Sequence, residues 1–429
     1  MLYIHDSFEG ASLGPYQIAD NKIITTFKEE QMVLVDGRCH DYNVHFFFGI
    51  ENRSETNREV EVYINTSLDK KDILPPLKPL LFFQTRLDSP FITVHYKGNF
   101  DQKNKKLYFS FLLLGGQCLY VSNTVNHSLE VLFSTFNELG AKGNARKIKI
   151  GTSVEGKELN AYCYESTQIQ KPTILLTSGF HPKEPDRWAT EAIMEFLTTN
   201  EGQRFLAFFT IYIVPIVNPD GLMLGTNACN SSGNNFFWNF ITTDESTNPE
   251  AFYLWKCTSM IQPILYIDFH CYTYDIVGKY PGPYLKPIIF YEGKTVRSIA
   301  KKMEEKFTED DNEFPFKGFL TFAPSTFASQ LTKKYNTITI SKYHLHLLEG
   351  EKLSKDRAVA LVKKLLTILI SYGITRPSLI LKCPFGEVKR NPLFVLIRYL
   401  LVFFYRTLYP VFEKIMKGLR RLFFGRKDK

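Results

Sequence analysis

The sequence lacks paired cysteines: its seven cysteines are scattered along 429 residues, and no two form a C-x-x-C pair. Paired cysteines at short spacing would indicate a zinc finger or a redox motif, so both classes are excluded. An odd number of isolated cysteines is typical of reduced, buried thiols. The first residues also show no basic segment followed by an apolar run, so we expect no secretory signal. These features predict a cytoplasmic protein.

Long hydrophobic runs are missing from the C-terminal tail, where apolar blocks alternate with Lys and Arg. The longest charge-free block there, residues 399–405, is far shorter than the roughly 20 residues of a spanning helix. Residues 382–429 carry twelve Lys and Arg against three Asp and Glu. We therefore predict that residues 385–429 form a basic, aromatic, amphipathic tail that contacts a membrane surface. The alternative is a helix that covers a groove of its own chain or of a partner.

The chain also lacks the marks of a nucleotide-binding or nucleic-acid-binding protein. The formal net charge of +8 is concentrated in the tail, so the rest of the chain is close to neutral and predicts no nucleic-acid partner. No glycine-rich phosphate loop is present. With 44% hydrophobic and 22% charged residues, the chain has the composition of a folded globular protein.

The chain divides by pattern into three parts. Residues 1–140 contain short alternating apolar segments separated by turn residues, which predict an antiparallel β-sandwich. The following stretch FNELGAKGNARK is rich in Gly, Asn and charge, and we interpret it as a linker. Residues 145–375 alternate apolar strands with helical periods, which predicts an α/β/α domain with a mixed, mostly parallel sheet. The basic tail of residues 385–429 follows.

Three residues in the α/β part predict a metal site. His181 and Glu184 lie in the segment TSGFHPKEPDRW, between a predicted strand and a predicted helix. His270 ends the apolar strand ILYIDFH, and the carboxyl ends of parallel strands meet at one edge of a sheet. Two histidines and one glutamate are a common ligand set of catalytic zinc, with water in the fourth position. Each histidine alone is more often a hydrogen-bonded residue at a strand end, but the combination favours one zinc ion.

These segments together resemble the zinc carboxypeptidase family. The resemblance rests on HPKE at residues 181–184, NPDG at residues 218–221, the stretch GTNACNSSGNNFFWNF after it, and IDFH at residues 267–270. HPKE is most similar to the cytosolic carboxypeptidase branch. The segment DSFEGASLG near the start of the chain also resembles the opening motif of that branch. The resemblance implies a β-sandwich before a carboxypeptidase-like domain, and one zinc ion bound by His181, Glu184 and His270.

The chain departs from the family pattern at the substrate-binding positions. The arginine that polarises the scissile carbonyl in the family falls on Ala228, and a family aspartate falls on Asn235. The Asn-Arg pair that grips the terminal carboxylate of the substrate falls on Phe237 and Trp238. The family's catalytic glutamate falls on Ser341, which cannot act as a carboxylate base. Each such group is typically worth about 10²–10⁴ in rate.

Other side chains are candidates for the missing base, chiefly Glu349 and His344. Further candidates are His346, Asp186 and Asp275, whereas Asp268 is better suited to supporting a metal ligand. Histidines 344 and 346 also fit an ordinary alternating strand, and Asp186 with Arg187 fits the start of a helix.

Three interpretations remain open. The first is a divergent zinc metallopeptidase that cleaves a peptide or amide bond of a substrate with no carboxylate to be gripped. The second is a catalytically impaired pseudopeptidase that acts as a protein- or membrane-binding module. The third is that the late strand is aligned wrongly and that Glu349 is the ordinary base. Retention of the three predicted ligands favours the first.

Overall fold

The fold is taken from a computed structural model of the 429-residue chain. The structure describes these residues: 1–30, 45–65, 81–87, 92–94, 99–101, 106–165, 171–235, 237, 240, 245–246, 248–272, 288–291, 294–310, 326–347 and 350–374. By contacts, residues 1–386 form one compact unit, and residues 387–429 form a second unit that lies outside the described residues.

Ten strands among the described residues of the first 122 form two five-stranded sheets. One sheet has the order β1-β4-β10-β6-β7 and the other β2-β3-β5-β9-β8. The strands are β1 (Leu2–His5), β2 (Tyr16–Ala19), β3 (Lys22–Thr26), β4 (Phe47–Asn52), β5 (Arg58–Asn65), β6 (Leu81–Gln84), β7 (Ile92–Val94), β8 (Asn99–Asp101), β9 (Lys106–Leu113) and β10 (Cys118–Ser122).

The two sheets share one apolar cluster. Side chains of both sheets, such as Phe48 of β4 and Val62 of β5, are fully buried in it. Burial alternates along β5, as expected for a strand with one face toward a core. The prediction of purely antiparallel strands is wrong at one place, because β3 and β5 run parallel. The chain leaves β3, passes through β4 of the other sheet and returns, and such a long crossover permits a parallel pair.

The stretch predicted as a linker is largely helical, so that prediction is wrong. Helix α1 spans Leu129–Lys142, with Ser128 as its N-cap accepting a hydrogen bond from the Val131 amide. Its buried residues recur at helical spacing, and these are Leu129, Leu132, Phe136 and Gly140. The Gly and Asn residues that suggested a linker are therefore accommodated within, or just after, an amphipathic helix that packs on the next sheet.

A seven-stranded mixed sheet forms the centre of the second part, in the order β11-β12-β14-β13-β15-β17-β16. The parallel pairs join the central strands β14, β13, β15 and β17, whereas the pairs toward both edges are antiparallel. The sheet is thus mixed as predicted, but the prediction of a mostly parallel sheet is wrong: three of its six strand pairs are antiparallel, and parallel pairing is confined to its centre. Its strands are β11 (Arg146–Thr152), β12 (Glu158–Tyr164), β13 (Thr173–Thr177), β14 (Thr210–Val214), β15 (Leu265–Tyr272), β16 (Ile288–Phe290) and β17 (Ile338–His346).

Helices cover both faces of this sheet. One apolar cluster joins the sheet to α1, α2, α6 and α8, and a second joins its other face to α5 and α7. The remaining helices are α2 (Arg187–Thr198), α3 (Asn200–Leu206), α4 (Pro219–Leu224), α5 (Pro249–Ile261), α6 (Lys294–Asp310), α7 (Phe327–Tyr335) and α8 (Gly350–Ser371). The α/β layering predicted from the sequence is therefore confirmed. Among the helices described, none is long and apolar enough to cross a membrane.

Candidate metal centre

The carboxyl ends of β13 and β15 bring the three predicted ligands together. These strands are parallel neighbours, with Thr177 opposite Asp268. After β13 the chain turns at Gly179, whose φ is +79°, a value that side chains with a Cβ rarely adopt. A Cβ at Gly179 would also lie 3.3 Å from the Pro215 carbonyl oxygen. The turn places His181 and Glu184 at the edge of the sheet where His270 lies.

One ring nitrogen of each histidine lies close to the Glu184 carboxylate. His181 Nδ1 lies 3.0 Å from Glu184 Oε1, and His270 Nδ1 lies 3.2 Å from Glu184 Oε2. The two imidazole rings are 4.9 Å apart and nearly perpendicular. The potential ligand atoms all lie within 4.8 Å of one another. The arrangement presents two nitrogens and a carboxylate to one point.

Neighbouring groups fix the orientation of these side chains. His270 Nε2 lies 2.9 Å from Asp268 Oδ2, so the other ring nitrogen of His270 faces Glu184. The Cys271 amide donates a hydrogen bond of 2.8 Å to Glu184 Oε2. The Thr177 hydroxyl donates to Asp268 Oδ1 at 3.3 Å. A histidine held by a carboxylate on its far nitrogen is the usual arrangement around bound metal, which agrees with the supporting role predicted for Asp268.

The charges in the cluster depend strongly on one another. Burial opposes ionisation of Glu184, but the nearby His181 and His270 outweigh it and hold the pKa of Glu184 well below its usual value. Burial also lowers the pKa of His270, but Asp268 and Glu184 outweigh it and raise that pKa to about 10. A metal ion bound here would displace the proton of His270, because only a neutral imidazole donates a lone pair.

An aromatic side chain encloses the cluster. The ring of Phe237 lies 5.0 Å from that of His270 and 5.4 Å from that of His181, and it packs edge-on against Phe180 at 5.7 Å. Phe237 is 3% exposed, and the Glu184 side chain is 14% exposed. The ligand cluster therefore has an apolar wall at the position predicted to hold a substrate-gripping asparagine in the resembled family.

The donor set and its spacing fit zinc. Zinc takes neutral imidazole nitrogens at about 2.0–2.1 Å, so two ligands at a tetrahedral angle lie roughly 3.3 Å apart. The nitrogen–oxygen distances of 3.0 and 3.2 Å, one to each oxygen of Glu184, are close to that separation and are also the lengths of ordinary hydrogen bonds. Three protein ligands also match the number found in catalytic sites.

Comparison with known sequences gives the same family. Residues 138–281 match the family model of zinc carboxypeptidase. Cytosolic carboxypeptidase 6 of Caenorhabditis elegans is 22% identical over 294 residues, covering 63% of this chain and 62% of that protein. Cytosolic carboxypeptidase 2 of Homo sapiens is 20% identical over 287 residues, covering 58% of this chain and 31% of that protein. The chain thus spans less than two thirds of the length of both relatives.

Solved structures share the fold. A metallo-carboxypeptidase from Burkholderia cenocepacia superposes with a TM-score of 0.71 and 13% identity, covering 87% of this chain and 100% of that chain. The metallo-carboxypeptidase from Pseudomonas aeruginosa in complex with (2-guanidinoethylmercapto)succinic acid gives 0.68 and 14%, with the same coverage. At this identity the likeness concerns the fold alone.

The family match, the shared fold and the cluster of two histidines and a glutamate agree with one another. Residues 138–281 therefore match a zinc carboxypeptidase domain, and the fold of the chain is that of metallo-carboxypeptidases. The resemblance inferred from HPKE, NPDG and IDFH is confirmed.

The positions predicted to have lost substrate-binding groups are mostly buried. Ala228 lies in the loop after α4 and is 1% exposed. Asn235 is also buried, and neither the nitrogen nor the oxygen of its side-chain amide has a hydrogen-bond partner among the described residues. Phe237 packs on the ligand histidines, as described above. Trp238 lies outside the described residues.

Ser341 lies in β17, the strand next to His270. It is 3% exposed and is paired with Ile288 of β16. A register shift interrupts the pairing of β15 with β17 between residues 267 and 269, opposite Ser341. β-Bulges of this kind often redirect side chains beside active sites.

The candidate substitutes for the base have different positions. Asp186 is buried at the start of α2, where its Oδ2 accepts a hydrogen bond from the Gly179 amide at 2.8 Å. Burial, and then the nearby Glu184, raise the pKa of Asp186 well above its usual value, which suits a structural carboxyl group better than a base. His344 and His346 belong to β17, with their backbones opposite His270 and Tyr272. Glu349 and Asp275 lie outside the described residues.

Sequence analysis overlooked two charged residues that fix the loops of the site. Lys183 is buried, and its ammonium donates to the Gly10 and Leu222 carbonyl oxygens and to Asn126 Oδ1. Glu30 accepts hydrogen bonds from three backbone amides in the loop that contains Ala228. No local signal identifies these contacts, because the partners are up to 199 residues apart in sequence.

Sequence analysis also passed over a G-x-S-x-G pattern at residues 10–14. In serine hydrolases this pattern forms a strand-to-helix turn that exposes the serine. Here it lies between β1 and β2, and the buried Ser12 hydroxyl donates to the His45 carbonyl oxygen. The pattern therefore has no catalytic geometry.

Glu250 gives a prediction about stability and pH. Burial raises the pKa of Glu250 to about 7, despite the hydrogen bond donated by Asn230 Nδ2. The folded state therefore binds more protons than the unfolded state between pH about 4.5 and 7, and stability falls as pH rises through that window. We expect the free energy of unfolding of the wild type to fall by about 2–3 kcal/mol through this window, and Glu250→Gln to lack that fall. Urea unfolding of both proteins at pH 5 and pH 8 measures the two free energies, and parallel changes in the two proteins would contradict the prediction.

Proposed function

We propose that this protein is a zinc-dependent, metallocarboxypeptidase-like hydrolase that cleaves a peptide or amide bond. In this proposal His181, Glu184 and His270 bind one zinc ion. The observation that carries it is the convergence of two imidazole nitrogens on the two oxygens of Glu184, at 3.0 and 3.2 Å. Zinc in such a site lowers the pKa of bound water to about 7 and polarises a carbonyl group.

Residues of the chain prepare the ligands for this role. Asp268 holds the far nitrogen of His270, and the Cys271 amide holds one oxygen of Glu184. The ionised state of Glu184 supplies negative charge to a cation. Because these supports lie on the rigid strand β15 or beside it, the ligands need little reorganisation to bind zinc.

The substrate differs from that of an ordinary carboxypeptidase in this proposal. Phe237 packs on the ligand histidines where the family has an asparagine for the substrate carboxylate, and Ala228 replaces an arginine. An apolar wall does not compensate the desolvation of a carboxylate. We therefore propose a peptide or amide substrate without a free carboxylate at this point.

The second candidate function is that of a pseudopeptidase that binds a protein or membrane partner. The buried Ser341 at the position of the family's glutamate favours it, because serine supplies no carboxylate base. The two candidates share the metal site and differ in turnover.

Metal content tests the shared part of the proposal. We expect the purified protein to contain about one zinc per chain, and both His181→Ala and His270→Ala to contain almost none, since each removes one of three protein ligands. Plasma mass spectrometry of the zinc-loaded, dialysed proteins measures the content. His5→Ala is the matched control, because His5 is a partly exposed histidine paired with Glu51, away from the cluster.

Equal zinc content in wild type and both site variants would mean that the metal is bound elsewhere, and absence of zinc from the wild type would remove the hydrolase proposal. Where zinc is present, a panel of blocked and free peptides separates the two candidate functions by turnover.

Four further predictions stay proposals. We infer that the two N-terminal sheets form the predicted β-sandwich, supported by their shared apolar cluster. The division into residues 1–140, 145–375 and 385–429 also stays a prediction. Cytoplasmic placement stays a prediction too. Contact of the tail with a membrane surface also stays a prediction, because residues 385–429 lie outside the described residues.

A further inference from the structure

The loop after α4 holds a carboxylate with consecutive backbone amides. Glu30 Oε1 accepts from the Asn227 amide at 2.5 Å, and Glu30 Oε2 accepts from the amides of Ala228 and Cys229 at 3.0 and 3.1 Å. The Cys229 thiol also interacts with this carboxylate. Successive amides that point at one anion form a nest, a recurring anion-binding arrangement of the backbone.

The loop is preorganised for this arrangement. Gly225 ends α4 in the left-handed region at φ +70°, and a Cβ there would lie 2.0 Å from the Ala11 carbonyl oxygen. The Thr226 hydroxyl donates to the Cys229 carbonyl oxygen at 2.6 Å, which closes the turn around the three amides. The amides therefore point outward from a turn that is fixed by its own hydrogen bonds.

The amides, and not the surrounding charges, oppose the cost of burying this carboxylate. Burial raises the pKa of Glu30, and the hydrogen bonds from the three amides and the Cys229 thiol act against that rise. Lys28, whose ammonium donates to the Leu224 carbonyl oxygen at 2.5 Å, holds the same loop. Glu30 comes from the N-terminal part of the chain, nearly 200 residues before the loop, so the contact links the N-terminal sheets to the loop that contains Ala228.

We propose that the backbone amides of Asn227, Ala228 and Cys229 form a carboxylate-binding site, that Glu30 is its resident ligand, and that the site binds a free monocarboxylate when this side chain is removed. The site is independent of the metal centre and of the proposed hydrolase function. Its ligand class is a carboxylate because two oxygens of one group divide three amide donors between them.

Chemical rescue tests this site in the full-length protein. Glu30→Ala removes a carboxymethyl group, which has the same heavy atoms as acetate. We expect Glu30→Ala to lower the melting temperature by about 2 °C or more, because a charged acceptor of three amides is lost. We expect sodium acetate to restore part of that loss, and to do so more than sodium chloride at equal ionic strength. Isothermal titration should then show saturable acetate binding to this variant and none to wild type.

Glu29→Ala is the matched control, because Glu29 is the exposed neighbour of Glu30. It should melt like wild type and respond equally to both salts. An equal response of Glu30→Ala to acetate and chloride, or an unchanged melting temperature, would overturn the proposal. If Glu30→Ala does not fold, Glu30→Gln takes its place, since it keeps one accepting oxygen without charge. Its melting temperature should then lie below that of Glu29→Gln. Equal melting temperatures of these two variants would refute the site. Metal loading affects none of these comparisons.

Discussion

Replacing Ser341 by glutamate is expected to raise the rate of peptide or amide hydrolysis of the zinc-loaded protein by about 10²-fold or more. A positioned general base typically contributes about 10²–10⁴ to the rate. Thr339 is paired with Tyr266 across β17 and β15, so the two lie on one face of the sheet. Ser341 lies at the register shift that follows this pair, opposite Asp268, whose carboxylate contacts the ring of His270.

The buried position of Ser341 suits this replacement in one further respect. Ser341 is 3% exposed, and burial at this position would raise the pKa of a glutamate toward the operating range of a general base near neutral pH. Initial rates on blocked and free peptides measure the effect, with zinc content determined on the same samples. Ser341→Gln is the matched control, because it has the same shape and cannot accept a proton as a base.

Equal rates of the Glu and Gln variants, both at the wild-type level, would argue against a hydrolase that lacks only its base. They would favour the pseudopeptidase, or a base elsewhere such as Glu349. A rise in the Glu variant that disappears in the double variant with His270→Ala would place the new activity at the metal centre.

The sequence predicted the parts of the site that depend on local pattern. Apolar strands that end in His or lead into HPKE identify residues at the carboxyl edge of a parallel sheet, and β13 and β15 place His181, Glu184 and His270 there. The periodicity of residues 189–199 and 353–373 likewise predicted helices, which the structure has as α2 and α8. These predictions succeeded because a strand or helix of sufficient length reveals its own buried face.

Features that depend on distant contacts were missed. The Gly and Asn residues near α1 suggested a linker, because their intrinsic preferences are visible in sequence while the sheet against which α1 packs is not. The parallel pairing of β3 with β5 depends on a crossover through the other sheet. Lys183 and Glu30 bind partners that are 173 and nearly 200 residues away in sequence. A local sequence pattern would have predicted both charged side chains to be exposed at the surface.

Lys183→Met is expected to destabilise the protein by about 2–4 kcal/mol at pH 9 and to change how its stability depends on pH. The side chain is 2% exposed, and its removal leaves two carbonyl oxygens, those of Gly10 and Leu222, and Asn126 Oδ1 without this donor. Each buried acceptor that loses its donor costs about 1–3 kcal/mol, part of which is offset by removing a buried amine.

The pH dependence separates this contact from ordinary packing. Burial lowers the pKa of Lys183 to about 7, so between pH about 7 and 10.5 the unfolded state binds more protons than the folded state. Wild-type stability therefore gains with rising pH in that window, and the Met variant lacks this gain. Chemical unfolding of metal-free wild type and Lys183→Met at pH 7 and pH 9.5 measures the difference in their free energies of unfolding. His270, whose pH dependence has the opposite sign, is present in both proteins, so its contribution cancels in that difference. Lys352→Met, at an exposed position, should lie parallel to wild type at both pH values. A constant difference between wild type and Lys183→Met would show that Lys183 is charged throughout, and that its three acceptors offset the burial of an ammonium ion.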